Sequence, residues 1–425
     1  MTLPNASIAT SQQVLPPNGS LMGLAALMRQ AFAGVDLRPL GTQLVQRANQ
    51  YPGDANTLMD LSWVLQLTGN RELGLNTQAL ALKLQQYYRL PTASSEPNIR
   101  LLAIVSGGDL MANTPLEFLV EQSDVALDLL YVDTDLPLPA TLQEHDLVFV
   151  AVGESDHNRP LLEHIAQRAQ SWEKPLLNAP LHIAELTRDG VAAALGGVSG
   201  VSIPASARVS RALLQQVAEG AADISTPLPQ GAFPVIIRPV GSHAGHGLEK
   251  LDDRAALAAY LLSNPEPDFY VARFIDYRSA DGQFRKYRVI LIAGRPYICH
   301  MAISSHWMIH YLNAGMAESA EKRAEEAQFM ANFDSGFARR HAQAFEAVAE
   351  LLKLDYVGLD CGETPDGKLL IFEADSDMVV HALDPVDLFP YKPAVMRKLF
   401  SGFREMLEHA LTRARGMKFA YHKHN

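Results

Sequence analysis

The sequence predicts an α/β part followed by an α+β part, with a small all-α domain in front of them. Three patterns support this prediction. Apolar residues recur at helical spacing from about residue 21 to residue 90. Strand-like and helical runs then alternate up to about residue 190. Beyond residue 200 the strand-like runs are typical of mostly antiparallel strands. We therefore predict three domains, at residues 1–95, 96–190 and 191–425.

Length and composition indicate a globular protein of more than one domain. The chain has 425 residues, whereas one domain commonly spans about 150. It is 48% hydrophobic and 20% charged, and no apolar run reaches the ~18 residues that span a membrane. The first residues, which we expect to be frayed up to about residue 18, lack the basic start and apolar stretch of a secretory signal. We expect a cytoplasmic protein with no membrane role.

Charge and cysteine content exclude two further classes. The formal net charge of -11 argues against non-specific binding of nucleic acid, because phosphate contacts need a basic surface. The two cysteines, Cys299 and Cys361, exclude a disulfide framework and a zinc cluster built on thiolates. A bound nucleotide remains compatible with this charge, since it needs only a few local cations and backbone amides.

The first 90 residues are predicted to form four short helices, separated by breaks near residues 34–36, 52–54 and 69–70. Within them, residues 55–91 resemble a single tetratricopeptide repeat, with Trp63 and Leu67 on the first helix. One repeat cannot bury its own apolar face and must pack on neighbours. Two roles stay open: a docking platform for a peptide or partner protein, and a helical brace on the next domain.

The middle region is predicted to contain a small parallel sheet. Strand-like runs at residues 99–106, 125–132 and 146–152 alternate with helical runs at residues 115–122 and 159–172. The loops 107–114 and 153–158 then follow the first and third strands. Open α/β sheets place ligands at these carboxyl ends.

Beyond residue 200 the sequence predicts mostly antiparallel strands interrupted by helices. The predicted strands are 234–238, 269–275, 287–293, 296–303, 356–361 and 369–374. The predicted helices are 254–262, 318–330, 338–352 and 394–413.

Two segments of this region suggest a nucleotide site. Residues 234–250, PVIIRPVGSHAGHGLEK, form a strand followed by a loop with three glycines, whose backbone amides can close over phosphate oxygens. Residues 269–277, FYVARFIDY, form an apolar strand that enters a short linker, where backbone groups can bind an adenine edge. Alone, the first segment is equally compatible with a simple turn, and the second is better explained as a buried core strand.

A third segment carries three carboxylates. Residues 358–375, GLDCGETPDGKLLIFEAD, are predicted to form a hairpin with Asp360 on one strand and Glu373 and Asp375 on the other. Residues two apart on a strand share a face, so Glu373 and Asp375 point the same way, and Asp360 can lie across from them. Such carboxylates repel one another unless cations neutralise them, and hard oxygen ligands suit magnesium. A solvated hairpin face is the alternative.

In this order and spacing, the three segments resemble the ATP-grasp superfamily, and in particular its glutathione synthetase and ribosomal-protein glutamate ligase branch. The resemblance covers roughly residues 98–390. It implies a small α/β domain followed by two α+β subdomains that clamp ATP. It also implies Mg²⁺, as two ions, with Mn²⁺ as the alternative.

The resemblance assigns roles to individual positions. Arg238 stands where the family has a lysine at the nucleotide phosphates, and Arg288 matches an arginine near the transferred phosphate, so both are expected catalytic residues. The expected nucleotide contacts are Arg238, Gly241, Ser242, His243, Gly245, His246, Gly247, Arg273, Phe274, Ile275, His310 and Asn313. The expected metal ligands are Asp360, Glu373 and Asp375.

Two positions depart from the family pattern. Arg238 replaces a lysine, and a planar guanidinium does not contact phosphate as an ammonium does. Asp375 stands where the family commonly has asparagine, which adds a negative charge to the metal site. Altered metal use and a weakened enzyme both stay open.

The implied activity is an ATP-dependent carboxylate–amine ligase that works through an acyl phosphate, with an amino acid or peptide as substrate. Loops 111–114 and 154–158 would face the space beyond the γ-phosphate. A small-molecule kinase of the same fold and a non-catalytic ATP-binding scaffold are the alternatives. The sequence leaves open the acid, the amine, a protein partner at the N-terminal helices, and the assembly of the chain into a homo-oligomer.

Overall fold

Four short helices begin the described part of the chain, which comprises residues 19–242 and 245–422 of the computed structural model. They are α1 (Leu24–Phe32), α2 (Arg38–Gln50), α3 (Ala55–Leu67) and α4 (Arg71–Leu84). The Asp54 carboxylate accepts a hydrogen bond from the Thr57 amide and caps α3. The α3–α4 hairpin is tight at Gly74, where a Cβ atom would lie 2.5 Å from Gln66 Cγ. The four predicted helices are confirmed, and their likeness to a tetratricopeptide repeat stays a prediction.

A five-stranded sheet of order β1-β3-β2-β4-β5 follows. Its strands are β1 (Tyr87–Arg89), β2 (Ile99–Ser106), β3 (Val125–Val132), β4 (Leu147–Val150) and β5 (Leu176–Leu177). Its helices are α5 (Leu116–Val120), α6 (Arg159–Ala169), α7 (Pro180–Ile183) and α8 (Arg188–Leu195). Only β1 is antiparallel to its neighbour in this sheet. The predicted parallel sheet is confirmed, and the very short β1 and β5 were not predicted.

The next part of the chain forms a four-stranded antiparallel sheet of order β7-β10-β8-β9. Its elements, with the short β6 before them, are β6 (Val201–Ser202), β7 (Ser206–Ser210), α9 (Arg211–Glu219), β8 (Val235–Pro239), β9 (Glu249–Leu251), α10 (Arg254–Ser263) and β10 (Asp268–Arg273). Val235 and Ile237 pack in a separate core with α9 and α10. The alternate residues Ile236 and Arg238 border a cavity on the opposite face, as the two-residue period of a strand requires.

The last sheet has five strands in the order β12-β11-β13-β14-β6. Its further elements are β11 (Phe284–Ile292), β12 (Arg295–Ser304), α11 (Ala320–Ala331), α12 (Ala342–Leu352), β13 (Tyr356–Glu363), β14 (Leu369–Asp375) and α13 (Lys392–His422). All neighbouring strands are antiparallel except β14 and β6. The predicted strands and helices beyond residue 200 are therefore all present, with bounds that differ by a few residues. The exception is α13, which runs well past its predicted end at residue 413.

Strand pairing and side-chain packing cross the predicted domain boundaries. β1 lies inside the predicted helical domain but pairs with β3, and residue 190 falls inside α8. Phe403 of α13 packs against Phe149 of the parallel sheet, with ring centroids 5.8 Å apart. The boundaries at residues 95 and 190 stay a prediction. In the ranges that the structure describes, no helix is both long and apolar enough to cross a membrane.

Candidate functional site

A cavity of about 1070 Å³ lies between the four-stranded sheet and the last five-stranded sheet. The loops that follow β2 and β4 border it as well, as predicted for residues 107–114 and 153–158. Helices α1 and α3 also contribute side chains to its wall. Its volume slightly exceeds the upper end, about 1000 Å³, of pockets that hold one small ligand.

The glycine-rich loop after β8 borders this cavity. Gly241, Ser242 and Gly245 line it, whereas His246 and Gly247 do not; His243 lies outside the described residues. All three glycines have positive φ angles, of 73°, 76° and 63° in chain order. At Gly247 an added Cβ would also lie 2.7 Å from Pro239 Cδ, so this position needs glycine for both its conformation and its space.

Arg238, at the start of this loop, is a buried cation that lines the cavity. Its Nε donates to Ser242 Oγ at 3.0 Å, and its Nη2 donates to the Ser242 carbonyl. Across the described ranges no carboxylate lies within ion-pair distance of it. Burial, with the nearby charge of Arg188, lowers the pKa of Arg238 to about 10, so it stays protonated at neutral pH. An uncompensated cation beside a glycine loop suits an anionic ligand.

The segment after β10 forms an aromatic recess at the cavity wall. Arg273, Phe274 and Ile275 all line the cavity. Phe274 packs edge-on against Trp307, with ring centroids 5.7 Å apart, and Lys250 Nζ lies 4.9 Å from the Phe274 ring centre. The recess offers flat apolar surface for a planar ring.

Three charged residues form a chamber on the opposite wall, on the last sheet. Lys286 and Arg288 are two apart on β11 and share a face, and Asp360 is the partner of Arg288 in the β11–β13 register. Arg288 Nε donates to Asp360 Oδ1 at 2.8 Å, and Lys286 Nζ donates to Asp360 Oδ2 at 2.7 Å. We call Lys286, Arg288 and Asp360 the charged chamber.

Electrostatics in the chamber leave an excess of positive charge. Burial acts to raise the pKa of Asp360, but the charges of Arg288 and Lys286 hold that pKa well below its usual range. Asp360 therefore stays ionised and neutralises only one of the two cations. His310 and Asn313 line the cavity, and burial followed by the charges of Lys286 and Arg288 lowers the pKa of His310.

The other two carboxylates lie in different surroundings. Glu373 is directly opposite Asp360 in the β13–β14 register and accepts a hydrogen bond from Arg188 Nη2 at 2.6 Å. Burial opposes ionisation of Glu373, but Arg188 lowers its pKa below the usual value. Burial, together with the charge of Glu373, raises the pKa of Asp375. Asp377 has a pKa raised well above its usual value by burial and by Asp375. Asp375 and Asp377 therefore hold a proton between them more readily than free carboxylic acids do.

Glu154 is a third carboxyl group with a raised pKa. We call Glu154, Asp375 and Asp377 the acidic wall. Burial, followed by the charge of Asp375, raises the pKa of Glu154 to about 7. Glu154 lies in the loop after β4, whereas Asp375 ends β14 and Asp377 follows it. The loop after β4 therefore brings Glu154 close to the end of β14, the neighbour of the strand that carries Asp360.

The strand register is consistent with Asp360, Glu373 and Asp375 as metal ligands. These side chains do not, however, form a preformed metal site. Asp360 and Glu373 face each other, and Asp375 shares the side of Glu373, as the hairpin pattern predicted. Within residues 19–242 and 245–422 no group of three Asp, Glu, His or Cys side chains is close enough to hold an ion. Asp360 and Glu373 are instead paired with Arg288 and Arg188. The roles of these carboxylates stay a prediction.

The cavity residues that were not assigned from the sequence include Arg188, Lys286, Trp307 and Lys392. Lys286 had a usable signal, since it precedes Arg288 by two on the same strand face. Arg188 begins α8 directly after the capping residue Thr187, but its partner Glu373 is 185 residues away in sequence. Lys392 reaches the cavity only because α13 packs back on the sheets. No local pattern indicates such contacts.

No protein-family model and no curated protein matches the chain. The solved structures that the chain resembles include a RimK domain ATP-grasp protein from Sphaerobacter thermophilus, at 15% identity and a TM-score of 0.42, covering 71% of this chain and 98% of that chain. The D-alanine–D-alanine ligase of Bacillus anthracis complexed with ATP has 11% identity, a TM-score of 0.44, and coverage of 75% and 99%. The corresponding ligase of Coxiella burnetii has 11% identity, a TM-score of 0.45, and coverage of 76% and 98%.

The order and arrangement of the sheets in this chain give the fold. A parallel α/β sheet comes first, an antiparallel sheet with two helices on one face comes second, and a larger mostly antiparallel sheet comes third. The second and third sheets close on one cavity, with a glycine-rich loop on one side and a carboxylate hairpin on the other. This order is the one that the resemblance to the ATP-grasp superfamily implies, a small α/β domain followed by two α+β parts around one cavity.

Proposed function

We propose that the chain is an ATP-dependent carboxylate–amine ligase that forms an acyl phosphate and releases ADP. The observation that carries this proposal is the presence of three complementary parts in one cavity. These parts are the aromatic recess at Phe274 and Trp307, the glycine loop with Arg238, and the charged chamber. They match the base, the phosphates and the transferred phosphoryl group of ATP in turn.

The residues of the clamp bind and orient the nucleotide in this proposal. Phe274, Ile275 and Trp307 pack on the adenine ring, while the amides of the glycine loop and the free charge of Arg238 contact phosphate oxygens. Asp375 replaces the asparagine of the family, and burial together with the charge of Glu373 raises its pKa.

The first chemical step joins the acid to phosphate. A carboxylate oxygen of the acid attacks the γ-phosphorus, the bond from that phosphorus to the β–γ bridging oxygen breaks, and ADP leaves with the electron pair. Arg288 and Lys286 stabilise the negative charge that shifts during this transfer. The side chains position groups and supply charge, so no covalent intermediate on the protein is needed.

The second step joins the acyl group to the amine. The amine nitrogen attacks the acyl carbon, the bond from that carbon to the phosphate oxygen breaks, inorganic phosphate leaves, and the nitrogen loses a proton. Glu154, whose pKa is about 7, lies on the acidic wall and is the group best suited to accept that proton at neutral pH. The acids of this wall also suit an amine that arrives as an ammonium ion.

The donor chemistry of the hairpin fits Mg²⁺, because Asp360, Glu373 and Asp375 offer only hard oxygen atoms on adjacent positions. These residues would hold one or two ions, with Mn²⁺ as an alternative. The ions would supply positive charge to the nucleotide phosphates. Since Arg288 and Arg188 neutralise two of the carboxylates without metal, we expect the ions to bind together with the nucleotide.

Amino acids or peptides are the proposed substrates. A peptide or protein partner at the N-terminal helices, a homo-oligomer and a cytoplasmic location stay predictions. We expect no nucleic-acid or membrane partner.

A screen for ADP release with paired amino acids and peptides tests the proposed function. ADP formation is expected to require both an acid and an amine, and to fall at least tenfold in Arg238→Ala. Release that needs only an alcohol would favour a kinase. Tight binding of ATP without turnover on any pair would favour a scaffold.

A further inference from the structure

The cavity extends past the charged chamber into a region walled by apolar side chains, most of them from the N-terminal helices. We call this region the apolar arm, defined by Leu24, Met28, Phe32, Trp63, Leu67 and Phe118. Phe32 is 47% exposed although it belongs to the cavity wall. Apolar surface left open inside a cavity indicates an apolar occupant.

The segment after β14 connects the arm to the charged chamber. Arg288 Nη1 donates to the Val379 carbonyl at 3.0 Å, and two residues later His381 reaches the arm. The His381 ring centre lies 5.2 Å from that of Phe32 and 6.0 Å from that of Phe118. Val379 and His381 both line the cavity. The arm therefore opens next to the cations of the chamber.

The helices that wall the arm are anchored to the parallel-sheet part of the chain. On one side, Gln78 Oε1 of α4 accepts a hydrogen bond from the Gly108 amide at 2.8 Å. On the other, Glu117 Oε2 accepts from the Ala25 amide at the start of α1, at 2.9 Å. The all-α part is thus held as a fixed wall of the cavity. These hydrogen bonds fit a helical brace, and the same helices also contribute apolar side chains to the cavity wall.

The charges of the chamber determine which end of a substrate binds there and which end lies in the apolar arm. Lys286 and Arg288 share the single carboxylate of Asp360, so the chamber retains a positive charge for an anionic group. Glu154, Asp375 and Asp377 also line the cavity and provide carboxyl groups near the chamber for the amine. Thr114 Oγ1 is buried at the cavity wall without a hydrogen-bond partner in the described chain and provides a further polar contact.

We propose that the apolar arm binds the tail of the acid substrate, and that this acid carries a large aliphatic or aromatic group. The inference rests on the proposed function, because it identifies the acid of that reaction. The carboxylate lies in the charged chamber and the tail extends along α1 towards Phe32 and Trp63. The N-terminal helices then determine which acids the protein accepts.

Binding of an acid series to the full-length protein tests the proposal without turnover. Butanoate, hexanoate, octanoate and decanoate are titrated by calorimetry in the absence of ATP, below their micelle concentrations. Affinity should rise by up to about fourfold per methylene until the arm is filled. The corresponding n-alkylamines should show no such rise. An equal rise for the amines, or no rise for the acids, overturns the proposal.

Two single variants and a matched control test whether the dependence of affinity on chain length arises in the apolar arm. Met28→Gln and Phe32→Gln place a polar side chain in the arm and should each flatten the dependence on chain length. Leu80→Gln is the control, since Leu80 is 53% exposed on α4 and does not line the cavity. Circular dichroism checks that each variant is folded. A steep dependence that survives in both arm variants contradicts the proposal.

The same series separates this inference from the proposed function. Arg238→Ala should lose affinity for a nonhydrolysable ATP analogue but keep the dependence on acid chain length. A rising series together with no ADP release supports the arm and contradicts ligase activity. ADP release that depends on short acids, with a flat series, supports the ligase and overturns the arm.

Discussion

Arg288 and Asp360 face each other across β11 and β13, joined by two parallel hydrogen bonds: Nε to Oδ1 at 2.8 Å and Nη2 to Oδ2 at 3.0 Å. Lys286 adds a third bond to the same carboxylate. Only 4% of the Asp360 side chain is exposed. Removing this carboxylate leaves two cations close together in a poorly hydrated site. Asp360 therefore stabilises the fold in addition to its proposed role in the reaction.

Asp360→Asn should lower the free energy of unfolding by about 3–5 kcal/mol, because it leaves buried cations without a counter-charge. Urea denaturation measures the change. Asp366→Asn is the matched control on the same hairpin, since its pair with Lys368 is exposed to solvent and its loss should have no measurable effect. Equal stability of the two variants would refute the electrostatic role of Asp360.

Gly247→Ala should disturb the glycine loop in two ways, through the strain of a positive φ angle and through a steric contact of the new Cβ atom. The new Cβ would meet Pro239 at the end of β8, and the loop must move to relieve the contact. We expect weaker binding of a nonhydrolysable ATP analogue, measured by calorimetry. Gly282→Ala is the control, because Gly282 has a φ of 79° but no atom within 4 Å of the added Cβ. If both variants bind the analogue as the parent does, Gly247 is not required for the site.

Arg238→Ala should weaken binding of the same analogue roughly 10- to 100-fold, as expected for the loss of hydrogen bonds to a charged group. Arg238→Lys keeps the charge and should retain most of the affinity. Arg254→Ala provides the control on the outer surface of α10, where the arginine pairs with Asp223 and is remote from the cavity. Unchanged affinity in Arg238→Ala would remove Arg238 from the phosphate site.

Asp60 and Glu117 accept hydrogen bonds from the residues at the start of α1. Their carboxyl groups should make the free energy of unfolding depend on pH. Burial raises the pKa values of Asp60 and Glu117 to about 7, even though Met22, Gly23 and Ala25 donate amide hydrogen bonds to them. Between about pH 4 and pH 7 the unfolded chain has already lost these protons while the folded chain keeps them. The contribution of both groups to stability therefore falls as pH rises through this window.

Asp60→Asn tests this pH dependence, because the amide oxygen can still accept from Met22 and Gly23 but does not ionise. The stability of the variant relative to the parent should increase from pH 4 to pH 8, measured by urea denaturation. Glu117→Gln should behave in the same way. A stability difference that is constant over this range would show that the two carboxyl groups have ordinary pKa values.

The sequence predicted the elements whose patterns are local. β2 and β3 have long apolar runs between turn residues, and the hairpin of β13 and β14 contains its own turn, so the placement of Asp360 opposite Glu373 followed from pattern alone. The glycine loop was recognisable for the same reason. These features depend on residues that are close together in the chain.

Features that depend on distant contacts could not be predicted. Arg188 lies 185 residues before Glu373, and the ring of Phe32 meets His381 only through the tertiary fold. The three-residue strand β1 carries too little pattern to be recognised. The raised pKa of Asp375 depends on its burial and on the charge of Glu373, and that burial emerged from the structure alone.

Transfer of oxygen-18 from a doubly labelled carboxylic acid tests the acyl-phosphate mechanism most directly. An acid accepted in the ADP-release screen is incubated with ATP, Mg²⁺ and an amine, and the phosphate and amide products are analysed by mass spectrometry. The proposed mechanism predicts one oxygen-18 atom in each inorganic phosphate and one in each amide. Unlabelled phosphate formed together with ADP, or label found in AMP, would contradict it.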